Sequence, residues 1–408
     1  MANTFSTIIE EAFSLGIQEV LHKLLVADKI CGKEAQASLA GGGDTYNKPY
    51  IAKGITQSYT EGTGVTKQNF TATNETLSLS TKTVYNFHLD ATDMRQQKRR
   101  AAILAHQTRN AMEELKTVVD GDFFYRYQDA DYAYGASGLL PKASTNAGYT
   151  LSTSNALSSF GTVFAHLLNH TGGIAPKFLV LDPYHMDVIE NAAIGNTFNV
   201  ADATFKNGYV GNFKGYQLYV SNNLTSEITL TMTDVGVAAE TLSFNGTTLT
   251  WDATGGTAGM IHVCDSATNE AINIAAVLNA PGTGIAYAAG TGYDVFTDNE
   301  NLHNLQGFVA TNPSAGVVLI KSKRGRMSIG TAAITNGSFG TQVVHALAGE
   351  QGAIELAYQE EGRLFVNDSP TDSSGNTLLA KEYNYLTMSG IKTFDDGDAR
   401  LVDVRVNA

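Results

Sequence analysis

Residues Asp93 to Asp120, DMRQQKRRAAILAHQTRNAMEELKTVVD, contain neither Gly nor Pro and are rich in Ala, Gln, Arg, Leu, Met and Glu. Those are the strong helix formers, and the run predicts one helix of about 40 Å at 1.5 Å per residue. Met94, Ala101, Leu104, Ala105, Thr108, Ala111, Met112, Leu115 and Val119 recur at three- and four-residue spacing, one apolar face. Arg95, Lys98, Arg99, Arg109, Glu113 and Lys116 fall on the other. Thr92 or Asp93 is placed to cap the start, and Gly121 to end the helix in the left-handed conformation. A lone rod of this length in a strand-rich chain needs a sheet to lie on.

The rest of the chain divides by texture. Residues 3–30 predict a second amphipathic helix, with Phe5, Ile8, Ile9, Phe13, Ile17, Leu21 and Leu24 along one face. The small-residue run 32–44 reads as a joint, and an arm on a joint is suited to gripping a neighbour. From Tyr46 to Leu89 two long polar arms flank the turn Glu61-Gly62-Thr63-Gly64, the return arm running from Val65 to Leu89. Thr, Gln, Asn and Ser dominate it, so it cannot bury a core of its own. An isolated two-stranded ribbon is marginal in water, so this hairpin is expected to lie on another subunit.

After the long helix come an aromatic cluster from Phe123 to Tyr134, a helix over 154–169, and a strand Lys177–Leu181. Asp182-Pro183 then marks a helix start, with Asp182 as cap and His185 on a surface turn. Residues 225–341 break into short strands around Gly- and Asn-rich turns, with one helix near 269–279. The Asn245-Gly246 pair there predicts a tight hairpin. This block reads as a small β-rich domain inserted into a host domain built from both ends of the chain. Strands return at 343–347, 353–358, 363–366, 383–387 and 401–406.

Composition excludes several functions. The net charge is −13, against the cation clusters that a dedicated nucleic-acid binder needs. The densest basic run, Lys321, Lys323, Arg324 and Arg326, reads as a solvated strand face or a row of salt bridges between subunits. Two distant cysteines imply no disulfide framework, no apolar run spans a membrane, and the N-terminus does not read as a signal peptide. No phosphate loop, dinucleotide fingerprint, nucleophile elbow or metal spacing occurs. The Asp182–His185 pair is the nearest thing to an acid–base couple, and capping explains it. Asp395, Asp396 and Asp398 lack calcium-loop spacing and read as a turn. No enzyme activity, cofactor or metal is expected.

The order of these parts resembles the major capsid protein of tailed bacteriophages, the Hong Kong 97-type fold. YNFHLDATDMRQQ (85–97), KFLVLDPYHMDVIE (177–190), GYQLYVSNNL (215–224), HALAGEQGAIELAYQEEGRL (345–364) and GIKTFDDGDARLVDVRV (390–406) carry the likeness. It spans the chain outside 225–341, where some short-tailed-phage coat proteins also carry an insertion. The resemblance implies an α+β fold with an N-terminal arm (1–43) and an E-loop hairpin (44–90). The P-domain with the spine helix would take 91–150 and 365–408, the A-domain 151–224 and 342–364, and the inserted β-rich domain 225–341.

It implies a subunit that assembles with itself, as pentamers and hexamers, into the icosahedral head shell of a virion around double-stranded DNA, without sequence-specific contact. Assembly in the bacterial cytoplasm with a separate scaffolding protein, a portal and decoration proteins belongs to the same expectation. Some members join an E-loop lysine to a neighbour's asparagine, for which Lys53 and Lys67 stand at the right place. The candidate inter-subunit contacts are Phe5, Ile9 and Phe13 in the arm, Tyr50, Tyr59, Lys67 and Phe70 in the hairpin, and Arg95 and Arg99 on the spine. The alternative is a surface protein that binds a ligand or glycan through the inserted block, which would need Trp251 and Tyr287 exposed.

Overall fold

The computed structural model describes residues 25–39, 43–51, 54–90, 100–144, 146–171, 175–195, 209–213, 215–253, 257–288, 291–330, 334–368, 370–371, 380–394 and 400–408. Two compact units divide the chain, residues 82–115 with 360–387 in one, and 23–81, 116–359 and 388–408 in the other. Phe5, Ile9, Phe13, Lys53, Arg95, Arg99 and the acidic cluster Asp395, Asp396 and Asp398 lie outside the described residues.

The long helix is present over Arg100–Phe124. It runs through Gly121 rather than ending there, and the reason is packing: a Cβ at this position would stand 2.5 Å from the main-chain oxygen of Lys323. Gly121 thus serves a close approach and not a cap. In the smaller unit, Ala111 and Leu115 of this helix are buried against Tyr383 and Tyr385, with Tyr85, Phe87 and Leu89 beside them. Phe87 stacks on Tyr383 with ring centroids 5.1 Å apart. The alternation of the strand Thr81–Asp90 sends Tyr85, Phe87 and Leu89 to this core and leaves Lys82, Val84, Asn86 and His88 exposed.

The larger unit is built on an eleven-stranded sheet. Its middle strand, Val343–Glu350, pairs antiparallel with the C-terminal strand Leu401–Asn407 and with Lys177–Leu181, which in turn lies parallel to Tyr216–Val220. All five residues of Lys177–Leu181 are buried, as expected of a strand covered on both faces. The helices Ala156–Thr171 and Pro183–Gly195 supply Phe160, Val163, Leu167, Met186 and Ile189 to that core.

Residues 228–339 have a second core, in which the helix Ala267–Asn279 sets Ala271, Ile274, Val277 and Leu278 among Leu230, Leu242, Leu249, Trp251 and Ile320. Asn245 and Gly246 both have positive φ, 50° and 92°, the geometry of the tight hairpin their pairing predicts. The block is nonetheless continuous with the main sheet: Ser226–Met232 pairs with Val343–Glu350 at Glu227↔Val343 and Ser226↔Val344.

Two local expectations are corrected. The run 32–44 is no mere joint, since Glu34–Leu39 is helical with Ala35 and Leu39 buried. The return arm of the hairpin is not a single strand to Leu89. It ends at Ser78, and a second strand in a different sheet starts at Thr81. Leu77 and Leu79 explain the break, because both are buried with Ala35, Leu39, Ala357 and Phe394, and that anchors the root of the arm.

Candidate assembly surface

The hairpin pairs Thr45–Ile51 with Ala72–Ser78, from Thr45↔Ser78 to Ile51↔Ala72. Its root is fixed by apolar and ionic contacts together. Tyr46 meets Phe394 edge-on at 6.2 Å, and the Lys48 ammonium sits 5.3 Å over the same ring. Lys48 also bonds the Glu34 carboxylate at 2.8 Å, and Lys392 lies 3.7 Å from Glu75. The contact with Lys48 holds the Glu34 carboxyl below its ordinary range.

Beyond Ile51 nothing in the described chain covers the hairpin. Ile55 is 79% exposed, Tyr59 70%, Val65 61% and Phe70 59%. Four large apolar side chains on one thin projection make a surface that folding has not buried. Of the hairpin candidates, Tyr59, Lys67 and Phe70 stand on this exposed part, while Tyr50 is half-buried in the paired strand.

The basic run is not a solvated face, and its partners lie within the chain. Lys321 is 3.3 Å from Glu227, Lys323 bonds Asp122 at 2.7 Å, and Arg326 bonds Asp182. Lys323 and Arg326 also stand over the rings of Tyr125 and Tyr184 at 4.6 and 4.5 Å. Charges this close to carboxylates in half-buried positions act as internal ties, which sequence spacing alone does not reveal.

Asp182 caps its helix as expected, accepting the His185 N–H at 3.0 Å. His185 is buried rather than on a surface turn, with Nδ1 2.5 Å from Asp182 Oδ1 and Nε2 3.0 Å from the Asn407 oxygen. Arg326 holds the other carboxylate oxygen, so the imidazole sits between the Asp182 carboxylate and Asn407 of the C-terminal strand. Burial opposes charge on Asp182, yet His185 and Arg326 hold its carboxyl below the ordinary range.

A second buried network went unseen in the sequence. His345 Nδ1 lies 2.9 Å from Asp403 Oδ1, Nε2 lies 3.7 Å from Glu227 Oε2, and the Tyr127 ring stacks on the imidazole at 3.8 Å. Burial alone pushes His345 down, and the two carboxylates outweigh it, so the imidazole is held above its ordinary range. Its three partners come from residues 127, 227 and 403, so no local motif could have marked it.

Lys142 stands 4.8 Å from the same Tyr127 ring, and burial brings its ammonium down to about 8. Trp251 is 1% exposed, packed in the core of its block. Among the described residues no group of three His, Cys, Asp or Glu side chains could hold a metal ion, and no helix is long and apolar enough to cross a membrane.

No protein-family model matches the chain, and no curated protein matches its sequence. Solved phage structures do match its fold. One from Gordonia phage Cozz is 11% identical over 99% of this chain and 93% of that one, with a TM-score of 0.52. One from Mycobacterium phage Che8 is 12% identical over 98% of both chains, with a TM-score of 0.50. A capsid chain of Ralstonia phage GP4 is 9% identical over 100% of this chain and 98% of that one, at 0.49. At such identities the likeness is one of fold: the chain is mixed α+β and shares the fold of the Cozz and Che8 phage chains.

Proposed function

We propose that this chain is the major capsid protein of a tailed bacteriophage, a structural subunit that assembles with copies of itself into the icosahedral head shell around double-stranded DNA. The observation that carries the reading is the hairpin. Its root is anchored by Leu77, Leu79 and Lys48, and its outer half presents Ile55, Tyr59, Val65 and Phe70 to solvent. Apolar side chains gain free energy only where water is removed from them, and within the subunit nothing described removes it. A neighbouring copy does. Each subunit then offers the same arm and the same acceptor, a heterologous contact that closes rings and then a shell.

On this reading residues 1–43 form the N-terminal arm and 44–90 the E-loop. The P-domain takes 91–150 and 365–408, the A-domain 151–224 and 342–364, and 225–341 is the insertion. The contact residues are Phe5, Ile9, Phe13, Tyr50, Tyr59, Lys67, Phe70, Arg95 and Arg99. An acidic subunit of net charge −13 holds DNA by confinement rather than by cation clusters. A scaffolding protein and a portal are the expected partners in the infected bacterium. The buried Trp251 speaks against a glycan-binding role for the inserted block.

Electron microscopy of the expressed protein, alone and with the neighbouring phage genes, tests the proposal. Closed icosahedral particles or hexamer-tiled sheets are the expected result. A monodisperse monomer or dimer under every condition sinks it.

A further inference from the structure

The outer half of the hairpin has no strand pairing, yet it is not unpaired. Among residues 54–71 the main chain bonds to itself only at the turn, where the Thr63 N–H donates to the Thr60 oxygen at 3.0 Å. Between the turn and the paired root, two glutamine side chains bridge the arms. Gln57 Nε2 donates to the Thr66 oxygen at 2.9 Å while its Oε1 accepts the Thr66 N–H at 3.1 Å. From the other arm, Gln68 Oε1 accepts the Ile55 N–H at 2.9 Å while its Nε2 donates to the Ile55 oxygen. Each side-chain amide supplies the one donor and one acceptor that a peptide group supplies in a ladder.

The register of these bridges is the register of the root. Carrying the pairing Thr45↔Ser78 to Ile51↔Ala72 outward without a slip sets Ile55 opposite Gln68, Gln57 opposite Thr66 and Thr60 opposite Thr63. The two glutamines therefore continue one antiparallel ladder with side chains in place of backbone. An interposed side chain also spaces the arms beyond the roughly 5 Å of a backbone ladder. Gly54 gives room for this, since a Cβ there would stand 2.9 Å from Gln68 Oε1 and from the Phe70 ring.

A polar ribbon with neither face buried has little to specify its register, and a one-residue slip turns every side chain to the opposite face. We propose that Gln57 and Gln68 are positioning residues that fix the register of the hairpin tip in the free subunit, holding Ile55, Tyr59, Val65 and Phe70 in place for a second copy of this chain. The last clause rests on the shell reading; the register role does not. Order set before contact lowers the entropy lost on contact, so the bridges promote assembly without touching the partner.

Hydrogen exchange on the full-length subunit, held below its assembly concentration, is the test. In the wild type the Ile55 and Thr66 amides exchange about tenfold more slowly than those of Ser58 and Thr60. In Gln57→Leu/Gln68→Leu the difference vanishes, while the root strand Thr45–Ile51 stays protected and shows that the fold is intact. Gln57→Asn/Gln68→Asn keeps the chemistry but is one methylene too short to reach, and it loses the protection too. Both double variants need about tenfold more protein to form particles.

Unprotected Ile55 and Thr66 amides in the wild type would overturn the proposal. So would protection that survives in the leucine variant, or protection lost with no change in the assembly concentration. If the wild type forms no particles at all, the shell reading falls and the exchange rates alone decide the role of the glutamines.

Discussion

Asp120 and Ala27 are joined across 93 positions by a hydrogen bond from the Ala27 main-chain N–H to Asp120 Oδ1, 2.8 Å long. The same oxygen takes the Val26 N–H at 2.9 Å, and Oδ2 takes Asn223 Nδ2 at 3.0 Å. The long helix thus caps the short helix Ala27–Ile30 and holds the segment that leads into the strand Ser226–Met232. One carboxylate gathers three parts of the larger unit.

Asp120→Ala should destabilise the subunit by about 2–4 kcal/mol, since it strands two main-chain N–H groups and the Asn223 amide in a buried site. Burial holds the Asp120 carboxyl above its ordinary range, with the bonds from Ala27, Asn223 and Val26 offsetting part of that. The neutral Asp120→Asn should therefore lose less than alanine does. Denaturant unfolding of the three proteins checks the order, and equal losses for both variants would refute it.

His345 predicts a dependence on pH with two sides. Its folded value is raised, so its contribution is present in full below about pH 6.5 and is lost as pH rises through the folded value. Asp403 is opposite in sign: burial opposes its charge, and His345, Lys142 and Arg405 hold it low, so its contribution is lost as pH falls through its folded value. The wild type should then lose stability as pH rises above about 6.5, and His345→Asn should be less stable at about pH 6 and flatter above it. Melting temperatures at several pH values decide this.

Gly121 gives a test in which helix propensity and packing disagree. Ala for Gly inside a helix ordinarily stabilises by about 1 kcal/mol. Here the added Cβ would meet the Lys323 main-chain oxygen at 2.5 Å, and backbone does not give way cheaply. Gly121→Ala should destabilise by about 1–3 kcal/mol. A rise in melting temperature would show that the approach is looser than described.

The two halves of the hairpin should respond differently to substitution. Tyr59→Ser with Phe70→Ser should leave subunit stability within about 0.5 kcal/mol, because both side chains are exposed, and should abolish or strongly reduce particle formation. Leu77→Ala, at a position 1% exposed, should cost about 2–4 kcal/mol in the subunit itself. Unfolding curves beside particle yields separate the two effects.

Much of this molecule could be read from local order. Helices at 156–171 and 267–279, strands at 177–181, 216–220 and 317–322, and the Asn245-Gly246 turn follow from periodicity and turn chemistry, which act over a few residues. The polar hairpin was legible too, since so few apolar side chains cannot make a core. What the sequence did not yield are the meetings between distant residues. Gly121 carries a helix terminator's signal until Lys323 is placed against it. The basic run at 321–326 suggests a free face until Asp122, Asp182 and Glu227 arrive from elsewhere. His345, Asp403 and Tyr127 become one network, and Gln57 and Gln68 become rungs of a ladder, only after the chain has folded back. Propensity and patterning are properties of neighbours in sequence and were determined there; close approach, ion pairing and shifted protonation are properties of neighbours in space, and tertiary structure alone decided them.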